Sequence, residues 1–124
     1  MKALYHTFGC KLNFAETASL ASLLEGRGVE KVSSKENPDI IIVNSCSVTE
    51  LADKKCRQTI RAFYRKYGVP IIVTGCYAQL KADEVSSLPG VVIVAGSDRK
   101  MKIADYIDKW QSTHEPIKIG RAHV

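Results

Sequence analysis

The chain has 124 residues, of which 45% are apolar and 25% charged, with a formal net charge of +5. That length holds one hydrophobic core rather than two, and those proportions exclude a disordered or fibrous chain. The longest apolar runs, Ile40 to Val43 and Val91 to Ala95, fall far short of the roughly 18 to 20 residues that cross a bilayer, and no apolar leader follows Lys2, so a cytoplasmic chain is expected.

Short β-branched runs alternate with helical patterns, the arrangement of an α/β domain with a mainly parallel sheet. The expected architecture is a single Rossmann-like or flavodoxin-like three-layer domain of four to five strands. Strands are predicted at Ala3 to Phe8, Ile40 to Val43, Ile71 to Thr74 and Val91 to Ala95, with a weaker one at Val29 to Val32. The first helix is predicted from Phe14 to Glu25, with Asn13 as N-cap, Glu16 completing a capping box, and Leu20, Leu23 and Leu24 buried. The second spans Thr49 to Tyr67, with Ala52, Cys56, Ile60, Phe63 and Tyr67 on one stripe, and Gly68 and Pro70 end it. A short helix is predicted at Ala78 to Ser86. A last helix after Asp98 buries Ile103, Tyr106, Ile107 and Trp110. The domain thus covers residues 1–110. Residues 111–124 form a tail, whose Ile117-Lys118-Ile119 alternation fits an edge strand, a linker towards a further domain, or a stretch foreign to the native chain.

In a reducing compartment four cysteines point to metal binding, catalysis or packing rather than disulfides. Cys10 follows Phe8-Gly9, Cys46 follows Val43-Asn44-Ser45, and Cys76 follows Thr74-Gly75, each just past a predicted strand. In a parallel sheet those strand ends share one edge, where open α/β sheets bind ligands. Gly9 and Gly75 allow tight turns beside a bulky inorganic group. Three thiolates suit zinc, copper(I) or an iron–sulfur cluster and leave a fourth position open. Packing as small hydrophobes remains an alternative; CxxC pairs typical of structural zinc are absent. Cys56 lies on the apolar stripe of the second helix and is expected to be core.

Lys54, Arg57, Arg61 and Arg65 recur at helical spacing, and Lys55 and Lys66 widen the patch. Such a face suits nucleic-acid phosphates, although a solvated helix face looks the same in sequence.

The segments Thr7-Phe8-Gly9-Cys10-Lys11-Leu12-Asn13-Phe14-Ala15-Glu16-Thr17, Val43-Asn44-Ser45-Cys46-Ser47-Val48-Thr49 and Thr74-Gly75-Cys76-Tyr77-Ala78-Gln79 resemble the three cysteine motifs of the methylthiotransferase family of radical S-adenosylmethionine enzymes. The likeness covers about residues 2 to 110. It implies an auxiliary [4Fe-4S] cluster on Cys10, Cys46 and Cys76, with one open iron for the sulfur species that becomes the methylthio group. The Gly9-Cys10-Lys11-Leu12-Asn13 start and Thr74-Gly75-Cys76-Tyr77-Ala78-Gln79, with Asp53 to Arg57, Gln58 and Ile60-Arg61, most resemble the branch acting on N6-threonylcarbamoyladenosine in tRNA. Branches acting on isopentenyladenosine or a ribosomal protein share the cysteine positions.

The family's radical S-adenosylmethionine barrel with its CxxxCxxC triplet and second cluster has no counterpart here, nor has its RNA-binding domain. The chain is therefore expected to hold no catalytic residue of its own and to be inactive alone. Two other classes compete: a nucleotide-binding α/β module, weakened by the absence of GxGxxG and P-loop motifs, and a structural interaction domain.

Overall fold

In a computed structural model, residues 1–9, 11–33, 35–46, 49–96 and 102–119 are described. The elements are β1 (Lys2–Thr7), α1 (Lys11–Glu25), β2 (Glu30–Val32), β3 (Ile40–Ser45), α2 (Glu50–Tyr67), β4 (Ile71–Gly75), α3 (Cys76–Leu80), α4 (Ala82–Ser86), β5 (Val91–Ala95), α5 (Ile103–Thr113) and β6 (Ile117–Ile119). The six strands form one sheet in the order β2-β1-β3-β4-β5-β6, and every pairing is parallel. The run 2-1-3-4-5 is the flavodoxin-like order, with its reversal of direction between β1 and β3.

The central strands are apolar on both faces because helices cover both. Ile41, Val43, Ile71 and Val73 pack with Cys56, Ile60, Tyr77, Ala78 and Val85 of α2, α3 and α4. Ile40, Ile42, Ile72 and Ile93 pack with Leu20 and Leu24 of α1 and Ile103, Ala104 and Ile107 of α5. The chain is thus three-layered, as expected, with six strands rather than four or five. The sixth is the Ile117-Lys118-Ile119 segment, which pairs with β5, Ile93 opposite Ile117. Its crossover is unusual. β3-α2-β4 and β4-α3-α4-β5 step along the sheet with their helices on one face, whereas β5-α5-β6 steps the same way with α5 on the α1 face. Its hand is therefore opposite to the sense that parallel crossovers nearly always take. Arg27, in the turn after α1, reaches α5 through Asp105 at 3.3 Å and Asp108 at 2.5 Å.

Several local expectations are corrected. α1 begins at Lys11, so Asn13 lies inside its first turn and is no N-cap; its side-chain nitrogen donates to the Phe8 carbonyl at 2.8 Å. Leu23 is 42% exposed, because the buried face is set by Thr17, Leu20, Ala21 and Leu24. The helix expected at Ala78 to Ser86 is two helices, broken at Lys81, where φ is −132° and ψ 50°. α2 matches its pattern: the Thr49 hydroxyl accepts from the Ala52 amide at 3.0 Å, and Gly68 ends the helix at φ 64°. Asp98 lies outside the described residues, among which no helix is long and apolar enough to cross a membrane.

Ile60 is fully buried between α2 and the sheet, whereas Leu12 is 67% exposed. Ile60→Ala should therefore lower unfolding free energy by about 3 to 4 kcal/mol and Leu12→Ala by no more than about 0.5 kcal/mol, measured by urea denaturation of both variants.

Candidate metal centre

Three carboxyl ends lie side by side, since β1 pairs with β3 and β3 with β4. Thr7 is opposite Asn44, and Ser45 is opposite Gly75. Cys46 and Cys76 are the next residues after that last pair, on strands roughly 4.8 Å apart. Cys46 is half-buried and Cys76 exposed, and both are free thiols. Cys10 lies outside the described residues; its neighbours are Gly9, past the end of β1, and Lys11, the first residue of α1. A Cβ placed on Gly9 would stand 3.3 Å from the Cys46 Cβ and 2.3 Å from the Asn13 side-chain nitrogen. The β1–α1 turn thus abuts the Cys46 strand end.

Gly75 is held tighter still. It sits at φ 98° and ψ −166°, a region essentially reserved for glycine. A Cβ there would meet the Ser45 carbonyl oxygen at 2.3 Å, the Asn44 Oδ1 at 2.7 Å and the Ser45 nitrogen at 2.8 Å. Both pre-cysteine glycines therefore make room for close approach between neighbouring loops. Thiols such as those of Cys46 and Cys76 are soft ligands, which suit an iron–sulfur cluster better than a hard cation such as magnesium. Among the described residues alone, no group of three or more His, Cys, Asp or Glu is poised as a metal site.

Cys56 is separate from this edge. It is fully buried in the α2 face of the core, and burial pushes its thiol up to about 12. His6 is also structural: its ring meets Phe8 and Phe63 edge-on at 4.7 and 5.4 Å, and burial lowers its pKa.

The basic face divides. Lys54, Arg61 and Arg65 are exposed, but Arg57 is not available as a surface cation. Its guanidinium donates to the Tyr77 hydroxyl at 3.1 Å, Glu84 at 3.0 Å and Glu50 at 3.2 Å. Those contacts, Tyr77 foremost, raise its pKa further. Lys81 donates to Asp53 at 2.8 Å and Glu50 at 3.3 Å. Asp53 is 2% exposed and, among the described residues, its Oδ1 has no partner. This network straps α2 to α3 and α4 beside Cys76. Helical spacing groups Arg57 with the exposed cations; only the arrival of α3 and α4 redirects it.

Asn44 and Ser45 carry no role in the sequence pattern beyond preceding Cys46. Both are buried, at 2% and 0% exposure. Their signal was two polar residues closing the apolar run Ile40 to Val43 just before Cys46.

The model of the family described as Uncharacterized protein family UPF0004 matches residues 2–96. The chain is 40% identical over 114 residues to the Threonylcarbamoyladenosine tRNA methylthiotransferase MtaB of Bacillus subtilis, covering 91% of this chain and 25% of that protein. With the MtaB of Thermotoga maritima the identity is 43% over 112 residues, 90% of this chain and 25% of the relative. A tRNA-2-methylthio-N(6)-dimethylallyladenosine synthase of Chlorobium limicola is 35% identical over 102 residues, 78% of this chain and 23% of the relative. The chain thus spans about a quarter of the length of these relatives.

Two outcomes follow from this geometry. Gly75→Ala should cost at least about 3 kcal/mol, because strain adds to backbone collision. Gly28→Ala, at φ 87° but with nothing within 4 Å, should cost about 1 kcal/mol; chemical denaturation reads both. At pH 8 a thiol pushed up to about 12 is about one part in ten thousand thiolate, and thiolate is the reactive form. Iodoacetamide should accordingly label Cys76 in minutes and leave Cys56 unmodified until the chain unfolds, as peptide mass mapping would record.

Proposed function

This chain belongs to the UPF0004 family, the N-terminal domain of the methylthiotransferases, and from that premise we propose that it holds an auxiliary [4Fe-4S] cluster through Cys10, Cys46 and Cys76 for methylthiolation of tRNA. The observation that carries the proposal is the close packing of glycine-bearing turns at one sheet edge. Gly9 and Gly75 leave no space for a Cβ, and free thiols Cys46 and Cys76 follow adjacent strand ends. When bound, such a cluster supplies an iron with an open position for a sulfur species. The protein's own part is to present three thiolates from three rigid strand ends, and to keep Cys56 out of the ligand set by burying it.

The proposed substrate is N6-threonylcarbamoyladenosine in tRNA, modified at C2. Its support is the name and 40 to 43% identity of two relatives. S-adenosylmethionine and a second [4Fe-4S] cluster would be held outside this stretch, in a radical S-adenosylmethionine domain, with a further RNA-binding domain. This chain alone would not complete the reaction. Leu12, Phe14 and Leu51, exposed in the first turns of α1 and α2 beside the cysteines, offer those domains an apolar seat. Lys54, Arg61 and Arg65, exposed on α2 together with Lys55 and Lys66, would meet tRNA phosphates.

Anaerobic reconstitution of this chain should give four irons and four acid-labile sulfides per chain. Both should fall below half on changing Cys10, Cys46 or Cys76 to Ala, and stay unchanged in Cys56→Ser. A folded wild-type chain that takes up no iron would refute the assignment.

A further inference from the structure

We propose that Asn44 and Ser45, the two residues before Cys46, are positioning residues that set the spacing of the other two cysteine-bearing turns; this rests on the cluster reading above. Asn44 acts towards β1 and α1. Its backbone carbonyl accepts from the Phe8 amide at 2.9 Å. Its side-chain nitrogen donates to the Asn13 carbonyl and to the Thr17 hydroxyl, both at 3.0 Å. Asn13 in turn donates to the Phe8 carbonyl at 2.8 Å. Phe8 and Asn13 lie on either side of Gly9, Cys10 and Lys11 in the chain, so one asparagine is tied to both sides of that stretch.

Ser45 acts in the other direction. Its hydroxyl donates to the Thr74 carbonyl at 2.6 Å and accepts from the Ala78 amide at 3.4 Å. Thr74 and Ala78 flank Gly75-Cys76-Tyr77. The same dipeptide that delivers Cys46 thus holds the turn on its left with one side chain and the turn on its right with the other.

Stability alone does not account for this arrangement. The Thr17 hydroxyl is saturated, accepting from Thr7 at 2.8 Å and from Asn44 while donating to the Asn13 carbonyl at 3.0 Å. Among the described residues, however, Asn44 Oδ1 is buried with no partner, and an acceptor left so opposes folding. An apolar residue of similar size would avoid that cost in a strand whose preceding four positions are all aliphatic. What it could not do is make two directed bonds to the first two turns of α1. Groups that orient metal ligands in this way typically change metal affinity 10- to 100-fold when removed.

Arsenite is a suitable probe, because arsenic(III) joins three thiols with release of three waters and needs no cluster assembly. Titrated anaerobically into the reduced chain and followed by its thiolate-to-arsenic absorption, it should bind the wild type through three thiols. Asn44→Asp, which keeps the shape but loses both donors, and Ser45→Ala should each weaken binding by at least about tenfold. Ser45→Thr should restore it, and Thr49→Ala, which removes the α2 cap but touches neither turn, should leave it unchanged. Circular dichroism establishes that each variant is folded. Unchanged affinity in folded Asn44→Asp and Ser45→Ala overturns the positioning role and leaves the cluster reading standing. Normal arsenite binding by a wild-type chain that takes up no iron overturns the cluster reading and leaves the positioning role standing. A folded wild-type chain that engages fewer than three thiols overturns the positioning role.

Discussion

The contact between Gly75 and the backbone of Ser45 governs the arrangement of the site. Two adjacent parallel strands end with Gly75 pressed so closely against Ser45 and Asn44 that a single methyl group would collide with backbone atoms. Strand pairing alone brings chain ends within about 5 Å; the missing side chain lets the following turns close further. Because β1 pairs with the other side of β3, the same strand end also receives the β1–α1 turn, where Gly9 leaves room for Cys46. The sheet edge at β1 and β3 is also where the strand order reverses, so α1 and α2 depart to opposite faces and leave the strand ends between them uncovered.

Two chemistries meet across this edge. Below it, aliphatic side chains from both helical layers fill the core, and Cys56 belongs to them: burial keeps its proton on. At the edge itself, Asn44, Ser45, Thr17 and Thr74 replace aliphatic packing with directed hydrogen bonds, not all of them satisfied. Directed bonds specify geometry where apolar contacts specify only proximity, and domains commonly relinquish some stability to hold a site in one arrangement.

The charges follow the same division. The positive excess does not all face outward, since Arg57 and Lys81 are engaged with Glu50, Asp53 and Glu84 in a network that braces α3 and α4 against α2. Lys118 of β6 likewise meets Asp83 of α4. The edge strand is thereby joined to the helical face opposite the one its own helix covers.

Much of this was readable from residue order. Alternating apolar runs and helical stripes determined an α/β chain with a parallel sheet. The strand-end cysteines were legible because the period of the flanking runs marked where each strand stops, and Cys56 was legible as core from its helical spacing. Asn13 was misplaced because capping chemistry is local, whereas its actual partner, the Phe8 carbonyl, is supplied by the turn folding back. Leu23 and Arg57 were misplaced because a helical wheel shows which residues share a side but not how much of that side neighbouring elements cover. The sequence by itself determined the order of strands and helices and that Cys46 and Cys76 follow the ends of two of the strands. Only the tertiary structure decided that Asn44 and Ser45 reach both neighbouring turns and that Arg57 turns inward, because hydrogen-bond partners distant in sequence are chosen by strand register and helix docking.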